Sequence, residues 1–147
     1  MAALGQKVEL FVADMAVAVD FYTRVLGFEA HETRRAELAG RTLVHTAVQS
    51  GPVVIGLGLL DRLADGHHLR RAPAAPNGIG FEFVIYVAGA ELEAWYERAC
   101  RESTLRIEPL GLKPWGARDF RVVDPDGYYI RISEPDADSA REAAGAT

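Results

Sequence analysis

The spacing of apolar positions changes period several times along the chain. Around Val8 to Val12 it is two: Val8, Leu10 and Val12 face one way, and Lys7, Glu9 and Phe11 the other, as on a strand with one buried face. The spacing then lengthens. Ala18, Phe21, Tyr22 and Val25 recur at i, i+3, i+4 and i+7, one face of a helix, with Asp14 placed as its N-cap and Gly27 as a left-handed C-cap. Phe28 to Leu38, Arg41 to Gln49 and Val53 to Leu60 read as strands, with Ala39-Gly40 a turn. The first half is therefore β-α-β-β-β. Residues 61 to about 79 interrupt the pattern with charges, His67, His68, Pro73, Pro76 and Asn77-Gly78, and read as a long loop of the kind that binds or links.

The pattern then starts again. Phe81 to Val87 is a strand; Leu92, Trp95, Tyr96 and Ala99 mark one helix face; Leu105 to Pro109, Asp119 to Val123 and Tyr128 to Ser133 supply three further strands. Residues 136 to 147 have no periodicity and read as a frayed tail. The two helix faces match at a constant offset, and Phe21-Tyr22-x-Arg24 is echoed by Trp95-Tyr96-x-Arg98. A sheet carrying one helix buries only its helix side. Pairing two such modules encloses the other side as a cup lined by alternate strand residues. The fold class expected is α+β, two βαβββ modules forming a cupped mixed sheet in a single domain over 1–147: module one 7–60, loop 61–79, module two 80–134, tail 135–147.

The last two strands are joined by Asp124-Pro125-Asp126-Gly127, which fits a type I turn followed by a glycine free to take positive φ. The strand leaving it sets Tyr128, Ile130 and Ile132 on one face and Tyr129, Arg131 and Ser133 on the other. The second face is polar and aromatic, with Arg131 in its middle.

Composition narrows the function classes. The 147 residues are 49% apolar and 25% charged, which suits one globular domain with a real core. A net charge of −5 argues against a nucleic-acid partner. Cys100 is the sole cysteine, so no internal disulfide forms and a cytoplasmic location is expected. The N-terminal residues lack a signal-peptide core, and no apolar run is long enough to span a bilayer, so no membrane partner is expected.

Three stretches carry a family resemblance: Val12-x-Asp14; Phe21-Tyr22-x-x-Val25-Leu26-Gly27-Phe28; and Asp124-Pro125-Asp126-Gly127-Tyr128. With Lys113-Pro114-Trp115-Gly116-x-Arg118-Asp119-Phe120, the chain resembles the vicinal oxygen chelate superfamily of glyoxalases, bleomycin-resistance proteins and extradiol dioxygenases over roughly residues 7 to 134. The motifs are specific for the fold and not for an activity, because that family holds both metal enzymes and metal-free binding proteins. The resemblance also implies metal-ligand positions on the first and last strand of each module. Here those positions hold Lys7, Glu82, Arg131 and a residue near Gly56. Only Glu82 is a metal donor. The resemblance thus implies no metal and no cofactor. It also implies a homodimer, with contacts expected at strand edges and the 61–79 loop.

Two readings of Lys7, Glu9, Glu82 and Arg131 stand equal: a salt-bridge network holding the modules together, or contacts to a ligand. Phe11, Tyr86 and Tyr129 are expected on the cup face. Trp115 is either a loop residue packed on a strand edge or a stacking surface for a planar or aromatic small molecule, and the second is favoured. His45 reads as a strand residue satisfied locally, and His67 and His68 as solvated. Cys100 has no visible base and is not read as a nucleophile. The expected function is metal-independent binding of a small molecule, such as sequestration of an antibiotic or aromatic metabolite. The alternatives are an enzyme of the same fold (a lyase, isomerase or dioxygenase) using Glu9 or Glu82 as base or a relocated metal ligand, and a module whose cup its own side chains fill.

Overall fold

The computed structural model describes residues 1–70 and 77–139. The chain divides into two units, residues 1–76 and 77–147.

Unit one runs β1 (Val8–Val12), α1 (Met15–Asp20) continued by a π-helical turn (Phe21–Val25), β2 (Glu29–Ala30), β3 (Arg34–Leu38), β4 (Arg41–Ser50) and β5 (Val53–Leu59). The sheet order is β1-β5-β4-β2, with β3 also on β4; β1 and β5 are parallel and the other pairs antiparallel. Asp14 caps α1 as expected, its Oδ1 accepting from the Val17 N–H at 3.0 Å. Gly27 takes φ 75° and ends the helix. The π turn arises where the Leu26 N–H reaches back to the Phe21 carbonyl and the Thr23 hydroxyl bonds the Val19 carbonyl. Leu10, Val12, Phe21, Tyr22, Val25, Val48, Ile55 and Leu57 form the core between helix and sheet.

The expected single strand from Phe28 to Leu38 is instead two. Phe28 turns inward, its N–H on the Tyr22 carbonyl, and is buried. The chain pairs with β4 in ladder register at Glu29–Ala30 and again from Arg34, and between them keeps the His31 N–H on the Ala47 carbonyl at 2.8 Å and the Thr33 hydroxyl 2.8 Å from that of Thr46. Residues 31–33 are not strand. At the other end of β3, Leu38 pairs with Arg41 across a two-residue turn. Ala39 (φ 49°) and Gly40 (φ 75°) are both left-handed, which is a type I′ hairpin. An L-residue with a Cβ is strained there. Ala39→Asn should therefore stabilise the protein by about 0.5–1 kcal/mol. A denaturant midpoint equal to or below that of the parent counts against this account.

Unit two repeats the topology. β6 (Glu82–Tyr86), α2 (Leu92–Glu102), β7 (Ile107–Leu112), β8 (Arg118–Val123) and β9 (Tyr129–Ser133) form a sheet of order β6-β9-β8-β7, again with its first and last strands parallel. Phe83, Ile85, Phe120, Val122, Ile130 and Ile132 are buried beneath α2, which contributes Leu92 and Ala99. The turn behaves as read. The Gly127 N–H bonds the Asp124 carbonyl at 3.0 Å, Gly127 takes φ 92°, and Asp124 Oδ1 accepts from the N–H groups of Asp126 and Tyr128.

Two boundaries differ from expectation. The residues after β5 begin with a 3-10 turn (Leu60–Arg62), and Leu63 is buried, so that end of the expected loop is structured; residues 71–76 of it lie outside the described residues. The expected tail is tied down at its start. Asp136 accepts the Tyr86 hydroxyl at 2.9 Å and the Ser139 N–H at 3.0 Å, which anchors residues 135–139; residues 140–147 lie outside the described residues.

Candidate ligand-binding faces

In unit two the face away from α2 is built by register. Glu82 pairs with Tyr129, Val84 with Arg131 and Tyr86 with Ser133; across β9, Arg121 pairs with Arg131 and Asp119 with Ser133. Two guanidinium groups therefore sit on neighbouring strands, an arrangement that is costly unless compensated. Compensation comes from three directions. Asp119, fully buried, holds Arg121 Nη1 at 2.5 Å through Oδ1, with Lys113 Nζ at 3.7 Å. Glu82 Oε1 lies 2.9 Å from Arg131 Nε and 4.0 Å from Arg121. The Arg131 contact is an ion pair whose angle does not make a hydrogen bond, so that buried Nε is without a hydrogen-bond partner among the described residues, as is Asp119 Oδ2.

The third element is Trp115. Lys113-Pro114-Trp115-Gly116 forms the β7–β8 turn, closed by the Gly116 N–H on the Lys113 carbonyl and by the Lys113 N–H on the Ala117 carbonyl, with Gly116 at φ 85°. Pro114 supplies the fixed φ that the turn needs. The turn lays the indole over both guanidinium groups, each carbon 5.6 Å from the ring centroid. The ring is nevertheless 47% exposed. Burial, with Glu108 nearby, pushes the Tyr129 phenol up; burial and Asp136 do the same for Tyr86.

In unit one the corresponding face carries Glu9 and Phe11. Lys7 Nζ lies 2.5 Å from Glu9 Oε1, and His45 Nε2 lies 2.9 Å from Glu9 Oε2. Burial raises the Glu9 pKa, but the hydrogen bonds and charges of Lys7 and His45 outweigh it and hold the carboxyl below the ordinary value. Glu9 reaches His45 by lying across β5. A Cβ on Gly56 would stand 2.0 Å from Glu9 Oε2, and one on Gly58 2.8 Å from the Phe11 ring. The glycine-rich stretch Ile55-Gly-Leu-Gly-Leu59 is the space these two side chains occupy.

The four expected charges thus form pairs inside a unit, Lys7 with Glu9 and Glu82 with Arg131. His45 joins the first pair. Arg121, Asp119 and Lys113 join the second, and the sequence reading did not single them out. Arg121 was within reach of it: counting outward from the Asp124–Gly127 turn places Arg121 opposite Arg131. Arg118 was also missed. It binds both carboxylate oxygens of Glu134 through its backbone N–H, Nε and Nη2, reaches the Gly89 carbonyl and pairs with Glu93, tying β8 to the start of α2.

A profile of the Glyoxalase/Bleomycin resistance protein/Dioxygenase superfamily matches residues 6–132. The chain belongs to that superfamily. Its similar sequences include two uncharacterised mycobacterial proteins, each 27% identical over 128 residues and aligned with 86% of this chain. One is Mb0911c of Mycobacterium bovis, of which 80% is covered, and the other Rv0887c of Mycobacterium tuberculosis, of which 71% is covered. Solved structures share the vicinal oxygen chelate fold. TioX from Micromonospora sp. ML1 matches with a TM-score of 0.65 at 22% identity, over 90% of this chain and 98% of its own. TnmS3, an antibiotic binding protein from Streptomyces sp. CB03234, gives 0.63 at 21%, over 91% and 97%. The fosfomycin resistance protein FosX from Mesorhizobium loti gives 0.65 at 12%, over 97% and 99%. At these identities the likeness establishes the fold alone.

Metal-using members of the superfamily set the remaining test. At the positions that the resemblance assigns to ligands, Lys7 presents an ammonium group paired to Glu9, and Gly56 has no side chain. Arg131 presents a guanidinium, and Glu82 faces it. This donor set does not fit a divalent ion. Among the described residues no group of three or more His, Cys, Asp or Glu side chains is placed to hold one. Nor is any described helix long and apolar enough to cross a membrane.

Proposed function

We propose that this superfamily member binds a planar small molecule without a metal ion, as a sequestering protein. The observation that carries the reading is the Trp115 indole, held over the Arg121–Arg131 pair with about half its surface exposed. A flat ring pinned from behind loses little freedom when a second ring stacks on it. The cations beneath favour a ligand carrying a carboxylate, carbonyl or phenolate near the stacked ring. The misfit of the donor set at the superfamily's metal positions supports the metal-independent part. A catalytic role for Glu9 is less favoured, because a carboxylate held ionised by Lys7 and His45 is a weak base.

We also propose that the protein is a homodimer. Exposed apolar side chains at Ile79, Phe81 and the edge-strand residue Leu112 support that part of the reading. Native mass spectrometry of the purified protein tests all three parts together, with and without a panel of aromatic natural products. The expected spectrum is a dimer with no stoichiometric metal and a mass shift with at least one aromatic compound. Bound zinc, iron, nickel or manganese in every molecule would refute metal independence. A monomer at micromolar concentration would refute the dimer, and a panel without a binder the stacking reading.

A further inference from the structure

We infer that unit one carries a second site, a cavity between the β3–β4 hairpin and the segment after β5, that takes an apolar molecule with one anionic head. The cavity has a volume of about 380 Å³ and is lined wholly by residues between Phe11 and His67. That size is in the range of small-molecule sites. The Phe11 ring and Gly58 both line it, and the ring lies so close to Gly58 that a Cβ there would stand 2.8 Å from it. Leu43 and buried Leu63 form walls, and Leu38 stands at the rim 62% exposed. A large aliphatic side chain left in water at the mouth of an apolar cavity gains by being covered by a ligand.

Charge selects the ligand class. Among the described residues no aspartate or glutamate lines the cavity, whereas Arg41 and Arg62 do. Arg62 is paired with Asp61 at 3.4 Å, and the lining His45 with Glu9. Arg41 differs. It is half-buried, its Nη1 donates to the Leu63 carbonyl at 3.2 Å, and among the described residues no carboxylate pairs with it. A guanidinium carries five donors in a fixed fork. One is used here, so a carboxylate, sulfonate or phenolate entering head-first would meet a fork ready to bind it in two-point fashion. The protein's net charge of −5 does not oppose this, because the lining holds no anion among the described residues.

The inference rests on Arg41 and not on Trp115, so either can fail alone. Calorimetric titration of the full chain tests it with three ten-carbon probes: decanoate, decanol and decyltrimethylammonium. Decanoate should bind one per chain, at least about tenfold more tightly than the other two. Arg41→Gln should weaken decanoate about tenfold or more. Leu38→Trp, a change at an exposed position that leaves the fold intact, should also weaken it by filling the mouth. Absence of saturable decanoate binding overturns the site. So does equal affinity for the cationic probe, or unchanged decanoate affinity in both variants when melting shows them folded.

Discussion

Asp119→Ala should be the most damaging single change on the candidate faces, lowering stability by about 3–5 kcal/mol. Asp119 is fully buried, and it is the anion that holds Arg121 at 2.5 Å with Lys113 behind. Removing it leaves a guanidinium that is itself almost buried beside a second one, Arg131, on the neighbouring strand. The magnitude comes from the stranded charge and not from the pair as such. A double variant that removes both charges, Asp119→Leu with Arg121→Met, should therefore recover much of the loss. Urea unfolding of the two variants beside the parent decides the matter. A single variant within about 0.5 kcal/mol of the parent would show that Asp119 is not compensating Arg121.

The second large effect separates binding from stability. Trp115→Ala should weaken a stacked planar ligand by about 1–3 kcal/mol, through lost aromatic burial. It should change melting less than it changes binding, since the Trp115 ring is half exposed and each of its two cation–π contacts contributes about 0.5–1 kcal/mol. Arg131→Ala should do the reverse in emphasis. Among the described residues Glu82 then keeps only Arg121, at 4.0 Å, so melting should fall clearly even without ligand. Thermal melts of the ligand-free variants, followed by titration with any binder the aromatic panel provides, give both readouts. If both variants melt and bind like the parent, the last-strand face is not where ligand sits.

Much of the fold was legible because it depends on short-range periodicity. The alternation in β1 and β9, the helix spacings, Asp14 as cap, and Gly27 and Gly127 at positive φ are all decided within a few residues. The repeat was legible for the same reason, since each unit writes its own β-α-β-β-β pattern. The misreadings fall where periodicity is weak. The 28–38 stretch departs from one strand because Phe28 turns into the core and the ladder to β4 is interrupted at residues 31–33. The start of the tail is held by one long-range bond, Tyr86 to Asp136, which no local pattern announces.

The site shows the same division. That Arg131 lies on a polar, aromatic strand face followed from alternation and Trp115 in a rigid turn from turn chemistry, whereas the metal positions of Lys7, Glu82 and Arg131 came from the family resemblance. What only the tertiary structure decided is which charges meet. Glu9 finds His45 because β1 and β4 flank the glycines of β5. Arg121 lies beside Arg131 under one indole because an antiparallel register and a hairpin turn bring residues ten apart, and then a third from the turn, to one point. That Arg41 meets the Leu63 carbonyl, and among the described residues no carboxylate, is likewise visible only in the tertiary structure. Local sequence determines which way a side chain points; strand register, which couples distant residues, determines what it points at.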